Sequence, residues 1–246
     1  MGRLQGKVVL VTGAGRSPGR GFAARVAQEG ASVIAVDHDS PEPAGPADLP
    51  STVAVVEAWG RIVARAADVR DPQALAAAIE AGTQRLGRLD AVVVAPVVTA
   101  PASITGTGDA AWHDTLDRVL TSAWTACRVS LPHLVDGGSV TVVGSAAGLR
   151  GFAHLAARTA AEHGIVGMVR SLAHELAPRS IRVNSIHPVA GEGDASDGLV
   201  FEPGTVVPAL FADARDVSET VVYLASDDAR MLTGMTVPVG AGLVSR

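Results

Sequence analysis

Short β-rich runs alternate with alanine-rich helical stretches along this chain of 246 residues. That alternation predicts a parallel sheet whose two faces are covered by helices. The predicted strands are Lys7–Thr12, Ser32–Asp37, Arg61–Ala66, Asp90–Ala95, Ser139–Gly144, Ile181–Ile186 and Thr236–Val239. We find no internal repeat and no sign of a second domain. The sequence therefore predicts one α/β domain over residues 1–246, with a doubly wound, Rossmann-type sheet of about seven strands.

Helix signals fall between the predicted strands. The clearest is Asp71-Pro72, an N-cap aspartate followed by a proline suited to the first helical turn. A helix that runs to about Trp59 follows the Pro/Gly-rich connection Pro41–Pro50. Two long helices are predicted at Asp109–Leu131 and Arg158–Ala177. Residues 187–215 contain Gly, Pro and Asp without periodicity, which predicts a loop.

Composition excludes several classes of function. The formal net charge of −5, without a basic run, argues against a nucleic-acid partner or an anionic membrane surface. No apolar stretch approaches the ~18 residues of a membrane span, and no leader is evident, so we expect a cytoplasmic protein. The single cysteine, Cys127, excludes an internal disulfide, and no His/Asp/Glu spacing suggests a metal site.

A glycine-rich loop, Thr12–Gly19, follows the first predicted strand and opens a helix. Its glycines let the backbone approach a pyrophosphate, and the helix N-terminus supplies amide donors, so a dinucleotide is expected here. Asp37 ends the second strand, where a carboxylate can accept both ribose hydroxyls and repel a 2′-phosphate. That position favours NAD over NADP, although Arg16 is a weaker signal for NADP.

Several segments together resemble the short-chain dehydrogenase/reductase family, in particular its carveol-dehydrogenase-like, mycofactocin-associated branch. They are the glycine loop, Gly6–Val9, Val33–Asp37, Arg61–Ala64, Ala67–Asp71, Arg170–Pro178, Ile181–Pro188, Leu224–Asp228 and Thr233–Val239. The resemblance covers nearly the whole chain and implies that Asp68-Val69 contacts the adenine. The implied cofactor-binding residues are Gly13, Ser17, Gly19, Asp37, Asp68 and Val69.

Departures from the family pattern predict that NAD binds weakly or not at all. Ser17 replaces the middle glycine of the loop, and Pro18 has no N–H to donate. The fourth strand ends in Val94–Val97 where the family has Asn-Asn-Ala-Gly. Val189 and Gly193 replace a glycine and a threonine that the family carries after the sixth strand.

The catalytic positions depart further. Ser145 matches the serine that hydrogen-bonds the substrate carbonyl in this family. The tyrosine position, 13 residues later, is Arg158, and the lysine position is Glu162. The asparagine expected in the preceding helix is Val119. The one tyrosine and the one lysine of the chain lie far away in sequence, so proton transfer by the family's route is lost.

The replacing residues have chemistry of their own. Arginine stays protonated, so Arg158 is a poor proton carrier but a good anion clamp. As an exposed pair on one helix, Arg158 and Glu162 would contribute only about 0.2–0.5 kcal/mol. Either they form a salt bridge over an inactive site, or Arg158 is an electrophile with Glu162 or His154 as the base.

Three hypotheses about function follow. The favoured one is a non-redox enzyme, a cyclase, isomerase or lyase, that acts on a small apolar carbonyl compound. The second is a catalytically silent regulator or inactive partner subunit of an active dehydrogenase. The third is an NAD-dependent oxidoreductase with a non-standard acid/base residue such as His154. The family resemblance also implies a homodimer or homotetramer, or a mixed oligomer with an active homologue.

Overall fold

The computed structural model describes residues 2–38, 47–96, 101–189 and 214–240. Within those ranges the strands form one parallel sheet in the order β3-β2-β1-β4-β5-β6-β7. The strands are β1 (Val8–Thr12), β2 (Ser32–Asp37), β3 (Ile62–Ala66), β4 (Leu89–Val94), β5 (Leu134–Val143), β6 (Arg182–Pro188) and β7 (Thr236–Val239). The predicted doubly wound, Rossmann-type sheet of seven strands is confirmed.

The central strands are buried on both faces. Every residue of β1 and β4 is buried, and in β2 only Ser32 is partly exposed. Continuous apolar runs of this kind are typical of strands covered by helices on both sides. Since β1 pairs with both β2 and β4, the direction of strand order reverses beside β1. In such sheets, ligands bind at this reversal, outside the carboxyl ends of the strands.

Helices cover the two faces of the sheet. They are α1 (Gly19–Gln28), α2 (Leu49–Glu57), α3 (Pro72–Leu86), α4 (Asp109–Leu116), α5 (Ser122–Ser130), α6 (Ala156–Glu175) and α7 (Ala214–Ala225). Buried residues of α3, α5 and α6 form one apolar core, and those of α1, α2 and α7 form the other. The predicted start of α3 is confirmed, because the Asp71 carboxylate accepts hydrogen bonds from the Gln73 and Ala74 amides at 2.9 and 3.1 Å.

A predicted helix and a predicted loop differ from the structure. The helix predicted at Asp109–Leu131 is interrupted by a π-helical turn, Asp117–Thr121, in which Val119 is buried. Turns of this kind are frequent near functional sites. In the predicted loop 187–215, strand β6 continues to Pro188, and residues 190–213 lie outside the described residues.

Other positions named from the sequence also lie outside the described residues. They include Val97, Gly193 and residues 41–46 of the Pro/Gly-rich connection. Among the helices that the structure does describe, none combines the length and the apolar character needed to cross a membrane.

Candidate active site

A cavity opens at the carboxyl ends of the central strands, where the strand order reverses. Its space of about 430 Å³ is continuous with the open solvent. Its lining residues are Thr12, Gly13, Asp37, His38, Asp68, Val69, Arg70, Val94, Ala95, Pro96, Arg118 and Ser122. The apolar end of β4 and the two residues after it therefore form part of the cavity wall.

The glycine positions of the loop have no room for a side chain. Gly13 has a φ of +67°, and a Cβ there would lie 2.6 Å from the Ala95 carbonyl oxygen. A Cβ at Gly19 would overlap the Gly13 carbonyl, and one at Gly15 would lie 3.0 Å from an Asp37 carboxylate oxygen. Ser17, by contrast, is exposed. The loop thus forms a backbone cradle in front of α1, as a bound pyrophosphate requires.

Asp37 is buried at the end of β2. Donors from the protein itself already hydrogen-bond both oxygens of its carboxylate. One oxygen accepts hydrogen bonds from the Gly15 amide at 2.9 Å and from Arg16 Nε at 3.3 Å. The other accepts from the His38 amide at 2.8 Å and from Arg16 Nη2 at 3.3 Å. A carboxylate has about four acceptor sites. The hydroxyls of a cofactor ribose would therefore have to displace the Arg16 guanidinium to reach Asp37.

We expect the substitution Arg16→Gln to tighten NADH binding about threefold to tenfold, because it removes a competitor for Asp37 worth about one hydrogen bond. Calorimetry with NADH on the wild type and the variant measures this change in Kd. The substitution Arg128→Gln, at an exposed arginine on α5, controls for the lost positive charge. A rise in Kd in the Arg16 variant would mean that the guanidinium binds the cofactor instead of blocking it.

Asp68 and Val69 lie beyond the end of β3 and line the same cavity. The Asp68 carboxylate accepts hydrogen bonds from Arg70 Nη2 at 2.6 Å and Nε at 3.0 Å. The side chain of Arg70 is the main cause that lowers the pKa of Asp68. The cavity wall on this side therefore presents a paired carboxylate beside an apolar valine.

Ser145 lies at the carboxyl end of β5, on a buried turn that leads to Gly148. Its Oγ accepts a hydrogen bond from the Ala147 amide at 3.2 Å. Its own amide donates to Glu162 Oε2 at 3.0 Å. The structure thus brings two residues proposed for catalysis, Ser145 and Glu162, into direct contact.

Arg158 and Glu162 lie one turn apart on α6 and are 4% and 3% exposed. The prediction of a solvent-exposed pair is wrong, because this face of α6 packs toward the sheet, with Ala161 and Ile165 in the core. Arg158 Nε lies 3.8 Å from Glu162 Oε1. Two opposite charges are therefore buried together, where interactions between charges are stronger than in water.

His187 is fully buried on β6 and joins this group, which the sequence did not predict. Its Nδ1 lies 2.8 Å from the Ser145 carbonyl oxygen and its Nε2 lies 2.9 Å from Ser185 Oγ. Burial lowers the pKa of His187, so the ring is neutral at neutral pH. The sequence signal that could have indicated this position is the pair Gly144 and Gly148, whose lack of side chains leaves room for the His187 ring.

His154 is exposed on the turn before α6 and has a left-handed backbone with a φ of +64°. Its carbonyl accepts a hydrogen bond from the Ala102 amide at 2.8 Å. Residues other than glycine rarely adopt this backbone conformation, and such residues are enriched at functional sites. His154 therefore stays at the start of the helix that carries Arg158 and Glu162, but outside their buried group.

The tyrosine and the lysine of this chain lie away from Ser145 and Arg158. Lys7 precedes β1, at the opposite end of the sheet, and its Nζ lies 2.7 Å from Asp227. Tyr223 is exposed on α7, which covers the other face of the sheet from α6. In the described part of the chain, no group of three or more His, Cys, Asp or Glu side chains could hold a metal ion.

Comparison with known proteins identifies the family. The sequence pattern of the family described as enoyl-(acyl carrier protein) reductase matches residues 13–244. The chain belongs to the short-chain dehydrogenase/reductase family. One relative within this family, the (−)-trans-carveol dehydrogenase of Rhodococcus erythropolis, is 38% identical over 98% of this chain and 99% of its own.

Solved structures of other short-chain dehydrogenases match over the full length of both chains. A carveol dehydrogenase from Mycobacterium avium in complex with NAD is 34% identical, with a TM-score of 0.90. A short-chain dehydrogenase from Mycobacterium paratuberculosis bound to NAD is 35% identical, with a TM-score of 0.91.

These comparisons overturn the favoured hypothesis about function. The sequence favoured a cyclase, isomerase or lyase because the tyrosine and lysine positions are replaced. That hypothesis is wrong, since full-length relatives are named dehydrogenases and similar structures hold NAD. The comparisons point to redox chemistry, in agreement with the alternative of an NAD-dependent oxidoreductase.

Proposed function

We propose that this chain is an NAD(H)-dependent oxidoreductase that interconverts a secondary alcohol and a ketone in a small, mostly apolar molecule. The observation that carries the proposal is the cavity beside β1, whose walls combine the glycine cradle with Asp37 and Asp68. The NAD complexes of similar short-chain dehydrogenases support the same cofactor for this chain.

The described residues fit a dinucleotide in this cavity. The backbone between Gly13 and Gly19 would hold the pyrophosphate, Asp37 the adenosine ribose, and Asp68 and Val69 the adenine. Hydride exchange with the carbinol carbon is the chemistry that NAD supplies when bound. We expect binding weaker by about 1–3 kcal/mol than with an intact family loop, because Pro18 and the apolar end of β4 provide fewer polar partners.

At the substrate end, this chain supplies a hydroxyl donor and a positive charge. The Ser145 hydroxyl would hydrogen-bond the substrate oxygen, and the charge of Arg158 would stabilise negative charge that develops there. Because Arg158 and Glu162 occupy the tyrosine and lysine positions, the family's catalytic tetrad is degenerate. The proton must therefore be carried by another group.

We assign that proton transfer to His154. Histidine is the side chain that most often serves as a general acid or base, and this one is exposed to solvent at the start of the helix that carries Arg158. Its left-handed backbone fixes the entry into α6. The buried group of Ser145, Arg158 and Glu162 would hold the substrate oxygen, and His154 would exchange the proton with that oxygen from the solvent side, through one water molecule.

The substitution His154→Ala is expected to lower kcat by about 10²-fold or more, the usual contribution of general acid–base catalysis. The Kd for NADH should not change, because His154 does not line the cofactor cavity. His174→Ala, at an exposed histidine near the end of α6, is the matched control. Equal turnover in the wild type and the His154 variant would mean that another group transfers the proton.

The proposed function is tested by absorbance at 340 nm with NAD and (−)-trans-carveol, together with calorimetry for NADH and NADPH. We expect NADH formation, and tighter binding of NADH than of NADPH because of Asp37. If NADH binds but neither carveol nor other secondary alcohols turn over, the protein is a silent subunit. Its purification together with an active dehydrogenase would then support that alternative.

A further inference from the structure

All three polar groups of Ser145 have a partner within the protein. The amide donates to Glu162 Oε2 at 3.0 Å, and the carbonyl oxygen lies 2.8 Å from His187 Nδ1. The Oγ accepts from the Ala147 amide at 3.2 Å. Since that amide occupies an acceptor position of Oγ, the hydroxyl hydrogen remains for donation to another atom.

The tautomer of His187 follows from its partners. The Ser145 carbonyl can only accept, so Nδ1 carries the hydrogen and donates it. Nε2 is then the acceptor, and the Ser185 hydroxyl, 2.9 Å away, donates to it. Ser185 on β6 thus orients His187, and His187 in turn holds Ser145 at the end of β5.

Two glycines create the space that this arrangement needs. A Cβ at Gly144 would lie 2.5 Å from Glu162 Oε2 and 3.0 Å from His187 Cε1. A Cβ at Gly148 would lie 2.6 Å from the same His187 carbon. The carboxylate and the imidazole therefore approach Ser145 from two sides, through gaps that any side chain would close.

We propose that Glu162 and His187 are positioning residues that hold Ser145 with its hydroxyl hydrogen directed to the substrate oxygen. The inference rests on the proposed function, in which that oxygen belongs to an alcohol or ketone. It gives a role to the glutamate at the family's lysine position. A lysine there has no acceptor for the Ser145 amide, whereas a carboxylate accepts it directly.

The contribution of Glu162 is tested with two double variants, R158M/E162Q and R158M/E162M. Both lack the two buried charges, so neither variant keeps one member of the Arg158–Glu162 pair without the other. The side chains at position 162 are similar in size, but only glutamine keeps an oxygen that accepts the Ser145 amide. The readouts are amide hydrogen exchange at Ser145 by NMR, and kcat and KM with NAD and (−)-trans-carveol.

We expect the Ser145 amide to exchange about tenfold to hundredfold faster in R158M/E162M than in R158M/E162Q. Exchange at Val142, in the middle of β5, should be the same in both variants. The kcat for carveol should be at least tenfold higher in the variant that keeps the acceptor, while the KM for NAD should not differ. A residue that only stabilised the fold would not change kcat while the KM for NAD stayed the same.

His187 is tested in the same way with H187N and H187L. Asparagine can donate its side-chain N–H to the Ser145 carbonyl, whereas leucine of similar size cannot. We expect kcat to be about tenfold higher in H187N, again at equal KM for NAD, from the loss of one oriented hydrogen bond. If H187L does not fold, the comparison of R158M/E162Q with R158M/E162M decides the proposal.

Equal Ser145 exchange in the two Glu162 variants would overturn the proposal. So would different exchange with equal kcat, because the hydrogen bond would then not position the catalytic hydroxyl. If carveol is not oxidised by any form of the protein, the proposed function fails at this substrate. The exchange rates then still decide whether Glu162 holds Ser145.

Discussion

The double replacement Arg158→Tyr/Glu162→Lys is expected to raise the kcat for oxidation of (−)-trans-carveol with NAD by about 10²–10⁴-fold. The phenol would stand on the same helix one turn before the ammonium, in the arrangement that this family uses for proton transfer. A neighbouring cation stabilises the phenolate and so lowers the pKa of the tyrosine. Glu162→Lys removes the carboxylate that accepts the Ser145 amide, but His187 still holds the Ser145 carbonyl oxygen, so we expect the gain from proton transfer to exceed this loss. Absorbance at 340 nm measures the gain.

Neither single replacement should reproduce this gain. Arg158→Tyr alone leaves the Glu162 carboxylate beside the phenol, which raises the pKa of the phenol and opposes proton transfer. Glu162→Lys alone places two cations on adjacent turns of a buried helix face. Adding His154→Ala to the double variant should have little effect, because the tyrosine then carries the proton. A folded double variant that binds NADH without any gain would show that proton transfer does not limit turnover.

The fold followed from the sequence because its strands are long apolar runs with clear ends. Ser32–Asp37 and Thr236–Val239 were predicted with the bounds that the structure has. Strand β5 begins at Leu134, five residues before the predicted Ser139. Its first half contains Asp136, Gly137 and Gly138, which are typical of turns. Pairing of Leu134 with Leu89 on β4 overrides that local preference.

The candidate site was harder to predict, because it depends on which helix face is buried. Helix α6 carries alanine and glycine on several sides, so its sequence gives a weak indication of the face that meets the sheet. The burial of Arg158 and Glu162 is a property of tertiary packing. The contacts of Arg16 with Asp37, and of His187 with Ser145, likewise join elements that are separate in sequence.

Other predictions from the sequence await their own measurements. The cofactor contacts at Gly13, Ser17 and Gly19 stay predictions that follow from the family pattern. The same holds for the homodimer or homotetramer, or a mixed oligomer with an active homologue, which we propose on that resemblance. Mass measurement of the protein in solution decides between these states.

Removal of the Glu162 side chain should destabilise the fold strongly. In Glu162→Ala, the buried Arg158 guanidinium loses the Glu162 carboxylate, and loss of one partner of a buried pair costs about 3–5 kcal/mol. The Ser145 amide also loses its acceptor. By contrast, Arg158→Met/Glu162→Leu removes both charges, and apolar side chains of similar volume often replace buried ion pairs without loss. This variant should therefore lose only about 1–3 kcal/mol, the cost of leaving the Ser145 amide without its acceptor.

The free energy of unfolding in urea, followed by circular dichroism, measures these effects. The control is Glu175→Ala, at an exposed glutamate on the last turn of the same helix, which should change stability by less than about 0.5 kcal/mol. A loss below about 1 kcal/mol in Glu162→Ala would mean that solvent reaches the pair, as at an exposed salt bridge. If the apolar double variant loses no more than the cost of the unpaired Ser145 amide but is inactive, the two charges serve the chemistry at Ser145 and not the stability of the fold.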